Sequence, residues 1–195
     1  MISTGNSIGL KGVRESFQHL GSFSEDNLNI LTQHLKALSI PKDYRLVNEG
    51  KVCQSIYFVE HGSFRHYQIT ETGEEITQNL YIEKDWVLDY KSFTSQKPSA
   101  SIFQAIEDSD VLELSVYDLH KLMKTSDVFF QVARIFQFGI EQQEIRIQKS
   151  TPKERYESLL AKKPQVIQRF PLKYIASYLG MKPETLSRVR RSLAS

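Results

Sequence analysis

The sequence predicts an α+β protein: a strand-rich domain of sandwich, jelly-roll or barrel type, then a long helix and a small helical tail. Three observations lead there. Between Ile40 and Ser115, short runs rich in Val, Ile, Tyr, Phe and Thr alternate with turn signals at Asn48-Glu49-Gly50, His61-Gly62 and Thr72-Gly73. The runs lack the intervening helices that a βαβ sheet requires. Beyond Val116 the apolar period becomes helical, and residues 172–195, LKYIASYLGMKPETLSRVRRSLAS, read as two amphipathic helices around a tight Leu-Gly-Met turn.

Taken in order, residues 14–38 carry apolar positions at helical spacing, with Phe17, Leu20, Leu28, Leu31, Leu35 and Leu38 as core candidates and Gly21-Ser22 as a break, so two short helices are expected. At least five strands follow, at Ile56–Glu60, Ser63–Ile69, Glu75–Leu80, Ala100–Ala105 and Asp110–Ser115. Leu119 and Leu122 belong to a short helix. A long helix is then expected over 126–149, where Phe129, Val132, Phe136, Ile140 and Ile147 recur at three- and four-residue steps opposite a charged face. That stripe reads as a dimer seam of coiled-coil type, with packing against the protein's own strands as the alternative. Ser150-Thr151-Pro152 ends it, with Thr151 suited to cap the next helix and Pro152 to its first position.

In the tail, Leu172, Ile175, Ala176 and Leu179 form one apolar stripe, and Gly180 supplies the left-handed residue that terminates it. Pro183 fits the first turn of a second helix, where its missing N–H costs nothing. On that helix Glu184, Ser187, Arg188 and Arg191 share one face, while Leu186, Val189 and Leu193 share the other. Charge separates this segment from the rest. Residues 150–195 hold ten Lys or Arg against three Glu, a balance of +7, whereas residues 1–149 hold 15 basic and 20 acidic residues, a balance of −5; together they return the chain's +2. A basic, polar-faced helix pair of this kind is the electrostatic footprint of a DNA-binding module.

Composition excludes several classes. At 195 residues and 40% hydrophobic content the chain can bury one medium domain and a small one. It has no run of 18 apolar residues and no signal-peptide h-region, so a cytoplasmic protein away from membranes is expected. The single cysteine, Cys53, reads as a small buried hydrophobe. The five histidines (19, 34, 61, 66 and 120) are dispersed, without metal-site spacing, so neither a metal nor a cofactor is expected and an enzyme reading is weak.

The order of these parts resembles the Crp/Fnr family of bacterial transcription regulators, named for the cyclic-AMP receptor protein and the fumarate–nitrate regulator. Carrying the resemblance are Glu49-Gly50, the Ile56–Gly62 strand-turn, Arg65, the Gly73-Glu74-Glu75 turn and Asp85, and in the tail IASYLGMKPETLSRVRR. It implies a cupin-like jelly-roll β-barrel sensor over 1–125, a dimerisation helix over 126–149 and a helix-turn-helix DNA-binding domain over 150–195. It also implies base contacts by Glu184, Ser187 and Arg188. Their chemistry agrees, since Arg matches a guanine edge, Glu accepts from cytosine and Ser can reach either base edges or phosphate. Arg191, Thr185 and Lys173 are expected at phosphates. Partners would be a palindromic double-stranded operator and a second copy of the chain, with RNA polymerase a further candidate.

The departures are informative. Cyclic-nucleotide binders of the family carry a Gly-Glu pair and, about ten residues on, an Arg followed by Ser or Thr. Here Leu88, Asp89, Ser99 and Ala100 occupy those places. A buried phosphate without its guanidinium would lose much of its stabilisation, so independence from cyclic AMP and cyclic GMP is expected. Trp86, Asp89, Tyr90 and Ser99 remain as candidate lining of a pocket for another effector. The family's wing strands are missing after the second helix, so fewer phosphate contacts are expected, and Lys182 stands where Ser or Thr usually caps, forgoing roughly 1 kcal/mol. The leading reading is a homodimeric, sequence-specific regulator. The alternative is a jelly-roll sensor or adaptor for a small molecule or protein partner, with a tail only weakly attached to DNA.

Overall fold

The computed structural model describes residues 3–4, 9–136 and 151–194. Two helices lead, α1 (Lys11–Leu20) and α2 (Glu25–Gln33). Helix α1 buries Val13, Phe17 and Leu20, one face of the predicted pattern. Helix α2 is started by a reciprocal cap: the Ser24 hydroxyl accepts from the Asn27 N–H, and the Asn27 side chain accepts from the Ser24 N–H. Leu38, expected on a helix, lies instead in a strand, because the chain past His34 switches to a two-residue period and pairs Leu38 with Val111.

Nine strands are described: β1 (Ser3–Thr4), β2 (Lys36–Ile40), β3 (Arg45–Val47), β4 (Ser55–His61), β5 (Phe64–Ile69), β6 (Glu75–Tyr81), β7 (Trp86–Val87), β8 (Ile102–Ala105) and β9 (Ser109–Ser115). They form two antiparallel sheets, β1-β2-β9-β4-β7 and β3-β8-β5-β6. The expected closed barrel is not found; among the described residues the two sheets remain separate. The edge strands β1 and β7 are two residues long, and no ladder joins one sheet to the other. The five strands read from the sequence are β4, β5, β6, β8 and β9, each within two residues of its expected bounds. The His61-Gly62 turn needs its glycine: φ is +102° and an added Cβ would lie 2.7 Å from the Ser109 Cα.

The main core fills the space between the sheets and beneath α1. Strand β4 is buried continuously from Ser55 to Val59, without alternation, because both of its faces are covered. Trp86 belongs to this core. It is 8% exposed, its Nε1–H donates to the Ser16 hydroxyl at 2.8 Å, and its ring lies 5.1 Å from Phe17 and 4.9 Å from Phe58. The expectation that it lines an effector pocket is therefore corrected; β7 sits at the edge of the other sheet and turns this indole toward α1.

Helix α3 (Tyr90–Ser95) and helix α4 (Val116–Thr125) complete this part, followed by a 3-10 helix over Asp127–Arg134. An element does start at Ser126, as expected, but over Asp127–Arg134 it is a 3-10 helix and not an α-helix. The expectation that Phe129 and Val132 belong to a dimer seam is corrected: both are 0% exposed inside the chain's own core, with no surface left for a partner. Phe136 packs on Tyr90 and Phe93, each ring 5.7 Å away. Ile140 and Ile147, the remaining seam candidates, lie outside the described residues.

The C-terminal helices are α5 (Pro152–Lys162), α6 (Pro164–Arg169), α7 (Leu172–Tyr178) and α8 (Pro183–Ala194). Thr151 and Glu154 form the capping box that starts α5, with Pro152 in the first turn, as their types predict. A second apolar cluster gathers Tyr156, Leu159, Val166, Phe170, Ile175, Ala176, Leu179 and Leu186 from these helices with Leu80 and Ile82 from and beside β6. Each fully buried aliphatic or Phe side chain of this kind contributes about 1.5–3 kcal/mol. Two ion-pair groups border the contact, Lys163 with Asp85 at 2.8 Å, and Arg169 with Glu83 and Glu107.

Candidate functional site

Two surfaces carry the chemistry: a cavity in the β-sandwich and the polar face of α8. The cavity, about 370 Å³, is walled by His66 and Gln68 of β5, Gln78, Asn79 and Tyr81 of β6, and the segments 88–92 and 97–101, with Ser95 between them. Of the four candidate pocket residues, Asp89, Tyr90 and Ser99 line it and Trp86 does not. The residues of β5 and β6 are absent from the sequence-based expectation. Their signal is present as polar residues at inward positions, His66 and Gln68 following Phe64 at two-residue steps on a half-buried strand.

Asp89 organises the cavity floor. Its Oδ1 accepts from the Ser92 N–H at 3.1 Å, which caps α3, and its Oδ2 accepts from the Ser99 hydroxyl at 2.6 Å. The Ser99 hydroxyl in turn accepts from the Ser101 N–H at 2.9 Å. A carboxylate and the hydroxyl bonded to it thus form part of the cavity lining. The cations among the lining residues, Lys91 and Lys97, are exposed, where water screens them. Burial pushes the Tyr81 phenol far above its ordinary value, so it stays a neutral hydrogen-bonding group at physiological pH.

The α7–α8 pair is built by local rules. Gly180 takes φ +62°. The Met181 N–H donates to the Ala176 carbonyl at 2.9 Å and the Gly180 N–H to the Ser177 carbonyl at 3.0 Å, the two bonds of a Schellman motif. Arg155 of α5 adds a third tie, its Nη1 donating to the Leu179 carbonyl at 2.6 Å. Leu186 is 0% exposed and docks α8, and Val189 is partly buried beside it. Leu193, expected on the docking face, is 37% exposed, as α8 runs past the apolar cluster there. Glu184, Arg188, Arg191 and Lys173 are exposed, while Thr185 and Ser187 are half-buried. The Lys173 ammonium rests 4.9 Å from the Tyr174 ring.

Helix α7 sits on β6, and an ion pair between Arg169 and Glu83 lies at the border between the helices and the sheet. Burial alone would raise the Glu83 carboxyl, but the Arg169 hydrogen bond and charge outweigh it and hold Glu83 below its ordinary value of 4.5. A depressed folded-state value gives stability that is complete above the unfolded value and lost as pH falls through the folded one. The melting temperature is therefore expected to fall on acidification below about pH 4.5, and Arg169→Ala should flatten that fall. Superimposable pH profiles for the two proteins would contradict this role of the pair.

Among the described residues no group of three His, Cys, Asp or Glu is placed to hold a metal, and no helix is long and apolar enough to cross a membrane. Residues 37–126 match the family described as Cyclic nucleotide-binding domain. No curated protein sequence matches the chain. Among solved structures, the chain is similar to FixK2 from Bradyrhizobium japonicum, with a TM-score of 0.69 and 20% identity, covering 82% of this chain and 84% of that one. It is also similar to CLP, a c-di-GMP responsive global regulator of Xanthomonas campestris (TM-score 0.66, 15% identity, 88% and 92% covered). A third similar structure is a putative transcriptional regulator of the Crp/Fnr family from Eubacterium rectale (TM-score 0.62, 20% identity, 88% and 84% covered).

Proposed function

We propose a homodimeric, sequence-specific DNA-binding transcription regulator, from a chain whose residues 37–126 match the Cyclic nucleotide-binding domain family and whose fold is similar to that of Crp/Fnr regulators. The observation that carries this reading is α8. Its apolar side is anchored by Leu186, while Glu184, Arg188 and Arg191 are exposed on a basic tail. An exposed helix of that chemistry, held by the α7 turn, suits a major groove, with Arg188 and Glu184 at base edges and Arg191 and Lys173 at phosphates. Thr185 and Ser187 stand at its half-buried flank, within the same turn of helix. In a dimer two such helices would read half-sites about 34 Å apart. The dimer seam read from the sequence over 126–149 loses Phe129 and Val132, which are buried in the chain's own core, and Phe136, Ile140 and Ile147 remain as its candidates.

The test is to enrich random duplex DNA on the full chain, then titrate salt on the enriched site and on a scrambled one. A regulator keeps a specificity ratio of about 10³ or more at physiological salt. A ratio near one favours the alternative, a sensor or adaptor whose tail only clings to DNA.

Independence from cyclic nucleotides is the second part of the proposal, supported by the Asp89–Ser99 hydrogen bond at the cavity floor. Millimolar cyclic AMP should neither raise the melting temperature nor change DNA affinity, since any ligand that prefers the folded state must stabilise it. A saturable calorimetric signal in the micromolar range would overturn this part.

A further inference from the structure

Strand β5 of the sandwich alternates between two environments. Phe64 enters the core, and His66 and Gln68 line the cavity, while Arg65 and Tyr67 lie on the opposite face. The outer face of an antiparallel sheet is ordinarily left to water. Arg65 is instead 2% exposed, because α7 covers it. Its guanidinium lies 4.3 Å from the Tyr67 ring centroid and 3.9 Å from that of Tyr174 on α7, a planar cation stacked between two aromatic faces. Its Nε donates to the Thr77 hydroxyl at 2.9 Å, and its Nη1 pairs with the Glu75 carboxylate. Next to it, the Thr77 N–H donates to the Ser177 hydroxyl of α7 at 2.9 Å.

This seat differs in kind from the apolar cluster beside it. Leu80 and Ile82 hold the helices to β6 by burial, which is non-directional and tolerates sliding. A guanidinium stacked between two rings and hydrogen-bonded in its plane admits a narrow range of orientations. In this arrangement Lys173, Glu184, Arg188 and Arg191 are all exposed, so the seated state leaves the reading face uncovered.

We infer that Arg65, a sensor-domain residue with no place in the reading face, is a positioning residue for DNA binding: stacked against Tyr174, it fixes the orientation of the α7–α8 pair on the β-sandwich. The inference rests on the DNA-binding reading above. Two reading helices in a dimer gain from each other only when their geometry matches both half-sites at once, and that gain disappears when the geometry is not held. Arg65 therefore acts on the second half-site, not on the first.

The experiment uses the full chain with Arg65→Met, which keeps an apolar stem of similar length, and Tyr174→Leu, which breaks the same contact from the other side. Affinity is measured for an enriched two-half-site operator and for a duplex carrying one half-site. Each variant should bind the full operator about tenfold more weakly and the half-site within about twofold of the unaltered chain. Equal losses on both duplexes would mean that the contact only stabilises the helices, and an unchanged full-operator affinity would mean that it positions nothing; either result overturns the inference. If Arg65→Met does not fold, Tyr174→Leu alone decides by the same two measurements. An unaltered chain that enriches no DNA overturns the regulator reading itself and the inference with it, whereas enrichment with indifferent variants overturns the inference alone.

Discussion

Phe129→Ala will destabilise the β-sandwich by about 3–5 kcal/mol, the range for removing a fully buried Phe from a close-packed core. The side chain is 0% exposed and lies in one cluster with Val132 and Ile135, its ring 6.4 Å from that of Phe23. The cavity left behind would lie within the 3-10 helix's packing against α1 and α4. Urea unfolding of the variant reads the loss as a lower midpoint at unchanged slope. The same measurement separates a core residue from a seam residue. A core loss is independent of protein concentration, while a seam loss appears as dissociation that more protein reverses. A change under about 1 kcal/mol, or one that concentration restores, would return Phe129 to the interface.

Arg188→Ala is expected to cost about 1–3 kcal/mol on the cognate operator and to relax preference at one base pair of each half-site, the signature of removing a bidentate hydrogen bond to guanine. Arg191→Ala, one turn further along α8, should weaken cognate and scrambled DNA alike and lower the slope of log affinity against log salt by about one unit for each phosphate no longer neutralised. The contrast depends on both residues being exposed on the same helix at different distances from its start, which α8 provides from Pro183 onward. Both variants on both DNAs across a salt series decide the assignment. If Arg188→Ala lowers affinity equally for the two sequences, Arg188 is a phosphate contact and the reading residue lies elsewhere on the face.

Much of the architecture is legible in the sequence because it is local. The Schellman turn needs Gly180 at its left-handed position, the start of α5 needs Thr151, Pro152 and Glu154 in that order, and the strands β4, β5, β6, β8 and β9 announce themselves by β-branched and aromatic runs between turns. Elements without such signals escape a sequence reading: β1 and β7 have two residues each, and α3 has six, too short for a period to show. Leu38 misleads because its spacing from Leu31 and Leu35 suits a helix, while its strand pairing is made with Val111, far along the chain.

The site divides the same way. The polar face of α8 proposed to read DNA follows from spacing alone, since a helix places Glu184, Ser187, Arg188 and Arg191 together whatever surrounds it. The cavity follows only in part: Asp89, Tyr90 and Ser99 come from one chain segment, but His66, Gln68, Asn79 and Tyr81 reach it from two other strands. Residue types and short-range spacing suffice for the kinds of elements, their caps and turns and the basic tail, all properties of residues within a few positions of one another. Long-range packing alone dictates that Trp86 faces α1, that Phe129 and Val132 belong to the core, and that Arg65 is buried beneath Tyr174. Those outcomes depend on which surfaces meet after the chain has folded back on itself. An apolar stripe or an outward-facing arginine carries no mark of its eventual partner, because burial is non-directional and takes whichever neighbour the topology supplies.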